Sequence, residues 1–162
     1  MNKNTNYSRP QLILLVVLRV LIGWYFLYEG ISKVLTPKWT SFGYLRDSKG
    51  IFAPLFNSFT ENPSVMNIVD FLNIYGLIII GLSLVLGAYV KIGSIGGIGM
   101  LVLYYLSHPA LIDAHYLLRP EGTYMWVDKN LIMLCTLLVI IYFPTSMRIG
   151  LDRFIFRNKN TK

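Results

Sequence analysis

The chain reads as an all-α membrane protein, a four-transmembrane-helix bundle with amphipathic segments in its first outer loop. Three observations predict this. Charged residues make up only 14% of the 162 residues while 54% are hydrophobic, and the mean hydropathy is +0.53. A water-soluble domain carries about 25% charged residues, so these charges are too few to cover a water-facing surface. The apolar residues gather into long continuous runs, the pattern of helices that satisfy their own backbone in lipid rather than of alternating barrel strands. Finally, the few charges recur near the ends of those runs. The same composition excludes intrinsic disorder, and one cysteine excludes an internal disulfide or a cysteine-rich metal centre.

A span needs about 20 mostly apolar residues to cross a hydrocarbon core of about 30 Å. The first run covers about 11–34 and contains Arg19, Glu29 and Lys33. No small-x-small cleavage site follows it, so it is expected to stay as a span rather than act as a cleaved signal. The second covers about 69–90 and the third about 92–106. The fourth is expected over about 124–143, entered through Tyr124 to Asn130, with a basic tail over 144–162. The whole of 1–162 reads as one domain.

An even number of spans puts both termini on one side. That side holds Lys3, Arg9, Lys91, Arg148, Arg153, Arg157, Lys159 and Lys162, and most acids fall on the other. By the positive-inside rule both termini are expected in the cytoplasm. Nucleic acid is not an expected partner, because no basic face lies on a soluble element; the tail is expected to meet lipid headgroups.

The first outer loop, about 35–66, carries two amphipathic segments. Trp39, Phe42 and Leu45 form one, and Ile51, Phe52, Leu55, Phe56 and Phe59 the other. A lid over the outer mouth of the bundle and a plain aromatic belt both fit them. Gly93 and Gly97 form a small-xxx-small pair suited to helix packing.

Charges inside a span are costly and face the bundle interior, so they are the best pointers to function. Arg19, Gly23, Phe26, Gly30 and Lys33 share one helical face, and Glu29 and Lys33 are spaced for an i,i+4 ion pair. Glu29 and Lys33, then Asp70 and Asn73, then Tyr104, Tyr105 and His108, and finally Asp128, Lys129 and Asn130 all fall in one outer layer. Asp70 and Asp128 also have a helix-start rationale. Arg19 lies deeper, about 11 Å from the inner end; snorkelling, structural hydrogen bonding and a ligand role are all open to it, with Ser83 and Thr136 as neutral candidate partners. His108, His115, Asp113 and Glu121 match no common metal-ligand spacing, so no metal is expected, and Cys135 is expected to be a small packing residue within its apolar run.

The stretch Arg19-x-x-x-Gly23-Trp24-x-Phe26-x-x-x-Gly30-x-x-Lys33 resembles the first helix of the DoxX/DoxD family. Gly76-Leu77, Gly81 to Gly87, Leu103-Tyr104-Tyr105 and Lys129-Asn130-Leu131 fit the same pattern. The resemblance implies a four-helix protein of the bacterial inner membrane, with relatives that include the membrane subunit of thiosulfate:quinone oxidoreductase. It implies a quinone as cofactor, with no haem, flavin or metal signature, and either a second redox subunit or a further copy of the chain as partner. Expected catalytic residues are Glu29, Lys33 and Asn130. Expected quinone- or substrate-binding residues are Arg19, Trp24, Tyr28, Asp70, Asn73, Tyr104, His108 and Lys129, with Lys33, Lys129 and Arg119 drawing an anion such as thiosulfate to the outer face. One departure stands out: where relatives carry an acid shortly after the Asn-Leu of the fourth helix, this chain has Ile132-Met133. The alternative reading is a non-catalytic anchor or assembly module.

Overall fold

A computed structural model describes residues 7–109 and 127–157. Among them the order is α1 (Arg9–Leu35), α2 (Phe42–Arg46), α3 (Ala53–Phe59), α4 (Pro63–Leu86), α5 (Val90–Ser107), α6 (Lys129–Tyr142) and α7 (Asp152–Arg157). His115, Asp113, Glu121, Arg119, Tyr124 and the terminal lysines Lys3, Lys159 and Lys162 lie outside the described residues.

Local chemistry sets the helix ends. Ser8 and Gln11 form a reciprocal capping box that starts α1. Asn62 accepts a bond from the Ser64 amide at 2.9 Å and Pro63 takes the first helical position, so α4 begins well before the expected 69. Asp70 and Asn73 therefore sit inside α4 rather than opening it. The helix stops at Gly87, whose φ of 69° is the left-handed cap that glycine adopts without a side-chain clash. Asp128 caps α6 through the Leu131 amide at 2.8 Å, so that helix starts at Lys129 and not near 124.

α1 and α4 run against each other through glycines. A methyl group added at Gly81 would stand 2.5 Å from the Leu27 amide nitrogen, and one at Gly23 would stand 2.7 Å from Leu84 Cβ. The two backbones are that close, as small-residue packing in membranes allows. Phe26, Leu77, Ile80, Leu84, Leu101, Met133 and Leu137 form the core shared with α5 and α6. A smaller cluster of Leu45, Phe56 and Met66 anchors α2 and α3 onto the end of α4.

Most of the outer face is apolar and exposed, including Leu14, Leu21, Ile68, Ile79, Ile92 and Leu103. In water this would be a large aggregating surface; in a bilayer it is the lipid-facing one. α1, α4 and α5 are each long and apolar enough to cross a membrane. α6 is apolar but has 14 residues, about 21 Å of helix against a core of about 30 Å.

Beyond α6 the chain doubles back as a strap over residues 144–152 beneath the α4–α5 turn. The Leu151 amide donates to the Leu86 carbonyl at 3.2 Å and the Asp152 amide to the Gly87 carbonyl at 2.9 Å. The Asp152 carboxylate accepts from the Tyr89 and Val90 amides at 2.6 and 3.4 Å, closing the otherwise uncapped start of α5. Tyr89 itself holds a left-handed φ of 51°.

Candidate functional site

Two polar layers lie at opposite ends of the bundle. At the strap end Arg19 is 2% exposed. Its guanidinium donates to Thr145 Oγ1 at 3.0 Å and to the Ile149 carbonyl at 2.8 Å. It does not snorkel, and its partners are not the neutral candidates on the helices: Ser83 donates to the Ala88 carbonyl and Thr136 to the Ile132 carbonyl. Arg19 is a structural clamp on the strap, remote from the other expected site residues.

At the other end a cavity of about 590 Å³ opens between α1, α4, α5, α6 and the segment leading into α2. Its apolar walls are Phe26, Leu77, Leu101 and Met133, and its polar walls come from all four long helices. Of the expected residues, Glu29, Lys33, Asn73, Tyr104, His108, Lys129 and Asn130 line it together. Asp70 stands one shell behind, its Oδ1 accepting from both the amide and the hydroxyl of Ser41, which does line the cavity.

Trp24 and Tyr28 are not part of it. They are 59% and 63% exposed on the apolar face, because each is about 100° or more around α1 from the Phe26–Lys33 stripe. The side chain that takes their place is Tyr25. It lies one helical turn before Glu29, as Glu29 lies one turn before Lys33, and that double i,i+4 spacing was its signal in the sequence.

These three residues and Lys129 form a chain along the wall. Lys129 Nζ donates to Tyr25 Oη, Tyr25 Oη donates to Glu29 Oε1 at 3.2 Å, and Lys33 Nζ meets Glu29 Oε2 at 3.3 Å. Lys33 also stands 5.3 Å from the centre of the Trp39 ring, a cation–π contact from the loop side. Asn130 donates to Asp128 Oδ2 at 3.0 Å, and Tyr104 donates to Asn73 Oδ1 at 3.0 Å. Trp39, Ser41 and Tyr44 add the first loop to the lining of the cavity.

The loop is pinned to the end of α5 through His108. The Tyr44 ring stacks on the imidazole at 3.9 Å, Ser107 Oγ lies 3.1 Å from Nδ1, and the Asp47 carboxylate stands 4.0 Å from Nε2. Burial pushes the imidazole below its usual value, with Asp47 pulling the other way and Lys49 adding to the fall. Unfolded, His108 takes its proton near about 6.5; folded, it does so only at lower pH. Between those values the unfolded state holds the extra proton, so stability falls as the pH drops through that window. Thermal unfolding followed from about pH 7.5 down to about pH 5 is expected to show this loss, and His108→Gln to flatten it.

Among the described residues no group of three or more His, Cys, Asp or Glu side chains could hold a metal ion. Cys135 is exposed on α6 rather than packed inside.

The family model for DoxX matches residues 14–109, which carry α1 from its second turn onward, the loop helices, α4 and α5. The chain belongs to the DoxX family. With its apolar helices, this makes the DoxX chain a multi-pass integral membrane protein. No curated protein and no solved structure matches it. The match covers the cavity walls contributed by α1, α4 and α5, while α6 and the strap lie beyond it.

Proposed function

We propose that this DoxX protein is a quinone-binding subunit of a membrane oxidoreductase, with the cavity as the quinone headgroup site. The observation that carries the reading is the Lys129–Tyr25–Glu29–Lys33 chain set along a cavity that also has an apolar wall of Phe26, Leu77, Leu101 and Met133. A quinone headgroup needs that combination, a flat apolar slot with a few placed donors for its carbonyl oxygens. On reduction it takes two electrons and two protons, and a Tyr–Lys–Glu chain holds transferable protons at the wall. Thiosulfate is the donor suggested by the resemblance. Joining two thiosulfate ions through a new sulfur–sulfur bond releases the two electrons that convert quinone to quinol. Lys33 and Lys129 offer such an anion positive charge. In this reading α6 crosses the membrane as a fourth, short span, the chain resides in the bacterial inner membrane with both termini in the cytoplasm, and a second redox subunit completes the complex.

The experiment is a titration of the purified protein in nanodiscs with a short-tailed quinone, followed through quenching of Trp39 against a Trp39→Phe control. Saturable quenching lost in the control supports the site. Quenching that rises linearly and is equal in both proteins contradicts it.

One observation favours a second reading, the non-catalytic assembly module. Glu29 with Lys33, Asp128 with Asn130 and Tyr104 with Asn73 already satisfy one another, as a purely structural polar layer would. Under that reading affinity capture recovers a stable partner complex, and the quinone titration is flat.

A further inference from the structure

The strap end of the bundle carries a charge pattern that the cavity does not explain. Every acid among the described residues except Asp152 belongs to the cavity end: Glu29 on α1, Asp47 and Glu61 in the first loop, Asp70 on α4 and Asp128 at the start of α6. Asp152 is buried at 4% exposure and is occupied with the Tyr89 and Val90 amides. The cations immediately beside that cap, Lys91 and Arg153, are exposed, as is Arg9 at the start of α1. Arg148 lies over the Tyr7 ring at 5.8 Å, tying the strap to the beginning of α1.

The strap's backbone is turned inward to Leu86, Gly87 and Arg19, and this sends its apolar side chains outward. Met147, Ile149 and Leu151, together with Phe154 on α7, are 43–66% exposed. They sit at the level of the α4–α5 turn, where α4, long enough to cross the membrane, comes to its end. Exposed apolar side chains interleaved with cations at the edge of a span, on a segment too short to cross, are the signature of a chain lying in the headgroup layer.

We propose that this end is a binding surface for anionic phospholipid, with Lys91 and Arg153 engaging headgroup phosphates while Leu151 and Phe154 enter the acyl boundary. A cation near a negatively charged leaflet contributes about a fivefold gain in binding. The Asp152 cap on the Tyr89 and Val90 amides joins the chain next to Arg153 to the chain next to Lys91. The proposal does not rest on the cavity's being a quinone site.

The full chain is reconstituted in nanodiscs of mixed phosphatidylcholine and phosphatidylglycerol, and the lipids it retains are counted by native mass spectrometry. The unmodified protein is expected to retain phosphatidylglycerol preferentially. The Lys91→Gln/Arg153→Gln variant is expected to lose that preference by about twenty-five-fold, from two cations at about fivefold each. A Lys38→Gln/Arg46→Gln variant, altered at the cavity end, is expected to keep it. No preference in the unmodified protein, or equal loss in both variants, overturns the proposal. Should the first variant fail to fold, the unmodified protein still decides: raised salt is expected to release phosphatidylglycerol selectively, and salt-independent retention overturns the proposal.

Discussion

Arg19→Ala is expected to destabilise the protein by about 3 kcal/mol and to free the strap. The guanidinium is buried and serves two acceptors on the strap, Thr145 Oγ1 and the Ile149 carbonyl, so it joins α1 to a segment near the other end of the sequence. Removing it leaves both without a donor in a site closed to water and removes the positive charge that the Asp152 carboxylate acts upon. Each buried polar group stripped of its partner costs about 1–3 kcal/mol, and the space left by the side chain adds to that. Arg19→Lys is expected to recover little, because a single ammonium cannot reproduce the fork that reaches a hydroxyl and a carbonyl together. Thermal unfolding in detergent checks the magnitude. Limited proteolysis checks the mechanism, with cleavage expected to appear first within residues 144–152. An unchanged melting temperature with an uncut strap would show that the clamp carries no weight.

Lys129→Met is expected to weaken quinone binding by about tenfold to a hundredfold, since a hydrogen bond from a charged group contributes about 1.5–3 kcal/mol. Tyr25→Phe is expected to cost about fivefold, the value of a neutral hydrogen bond of about 1 kcal/mol. The two residues bond each other, so their effects are expected to fall short of additive when combined. Trp24→Phe and Tyr28→Phe are expected to leave binding unchanged, because both side chains point to the apolar exterior. The contrast is sharp because all four residues lie at similar depth and differ mainly in face. Loss of binding in Trp24→Phe together with full binding in Lys129→Met would place the site on the wrong side of α1.

The buried face of α1 was legible in the sequence. Arg19, Gly23, Phe26 and Gly30, aligned by helical spacing alone, are the buried residues of that helix. The layer of polar groups at one end was legible too, since Glu29, Lys33, Asn73, Tyr104, Lys129 and Asn130 do meet at one cavity. Trp24 and Tyr28 lie on the exposed apolar face instead of at the cavity, because their angle around α1 and not their aromatic character decides what they meet, whereas Tyr25 lines the cavity. The partners of Arg19 could not have been read. One is a main-chain carbonyl, which every residue possesses, and the other is a threonine that follows the last apolar run. Helix limits shifted for a related reason: the Asp128 cap starts α6 inside the expected span and the Asn62-Pro63 start begins α4 ahead of it, because caps and not apolar runs set helix ends.

The most direct test of the cavity as a quinone site is photo-crosslinking. An azido-quinone is added to the protein in nanodiscs and illuminated, and the labelled peptides are mapped by mass spectrometry. The account predicts label on the cavity side of α1 and α6, at Tyr25 and around Lys129 to Met133, displaced by excess unmodified quinone. Label confined to the exterior around Trp24 and Tyr28, or label that excess quinone does not displace, would contradict it.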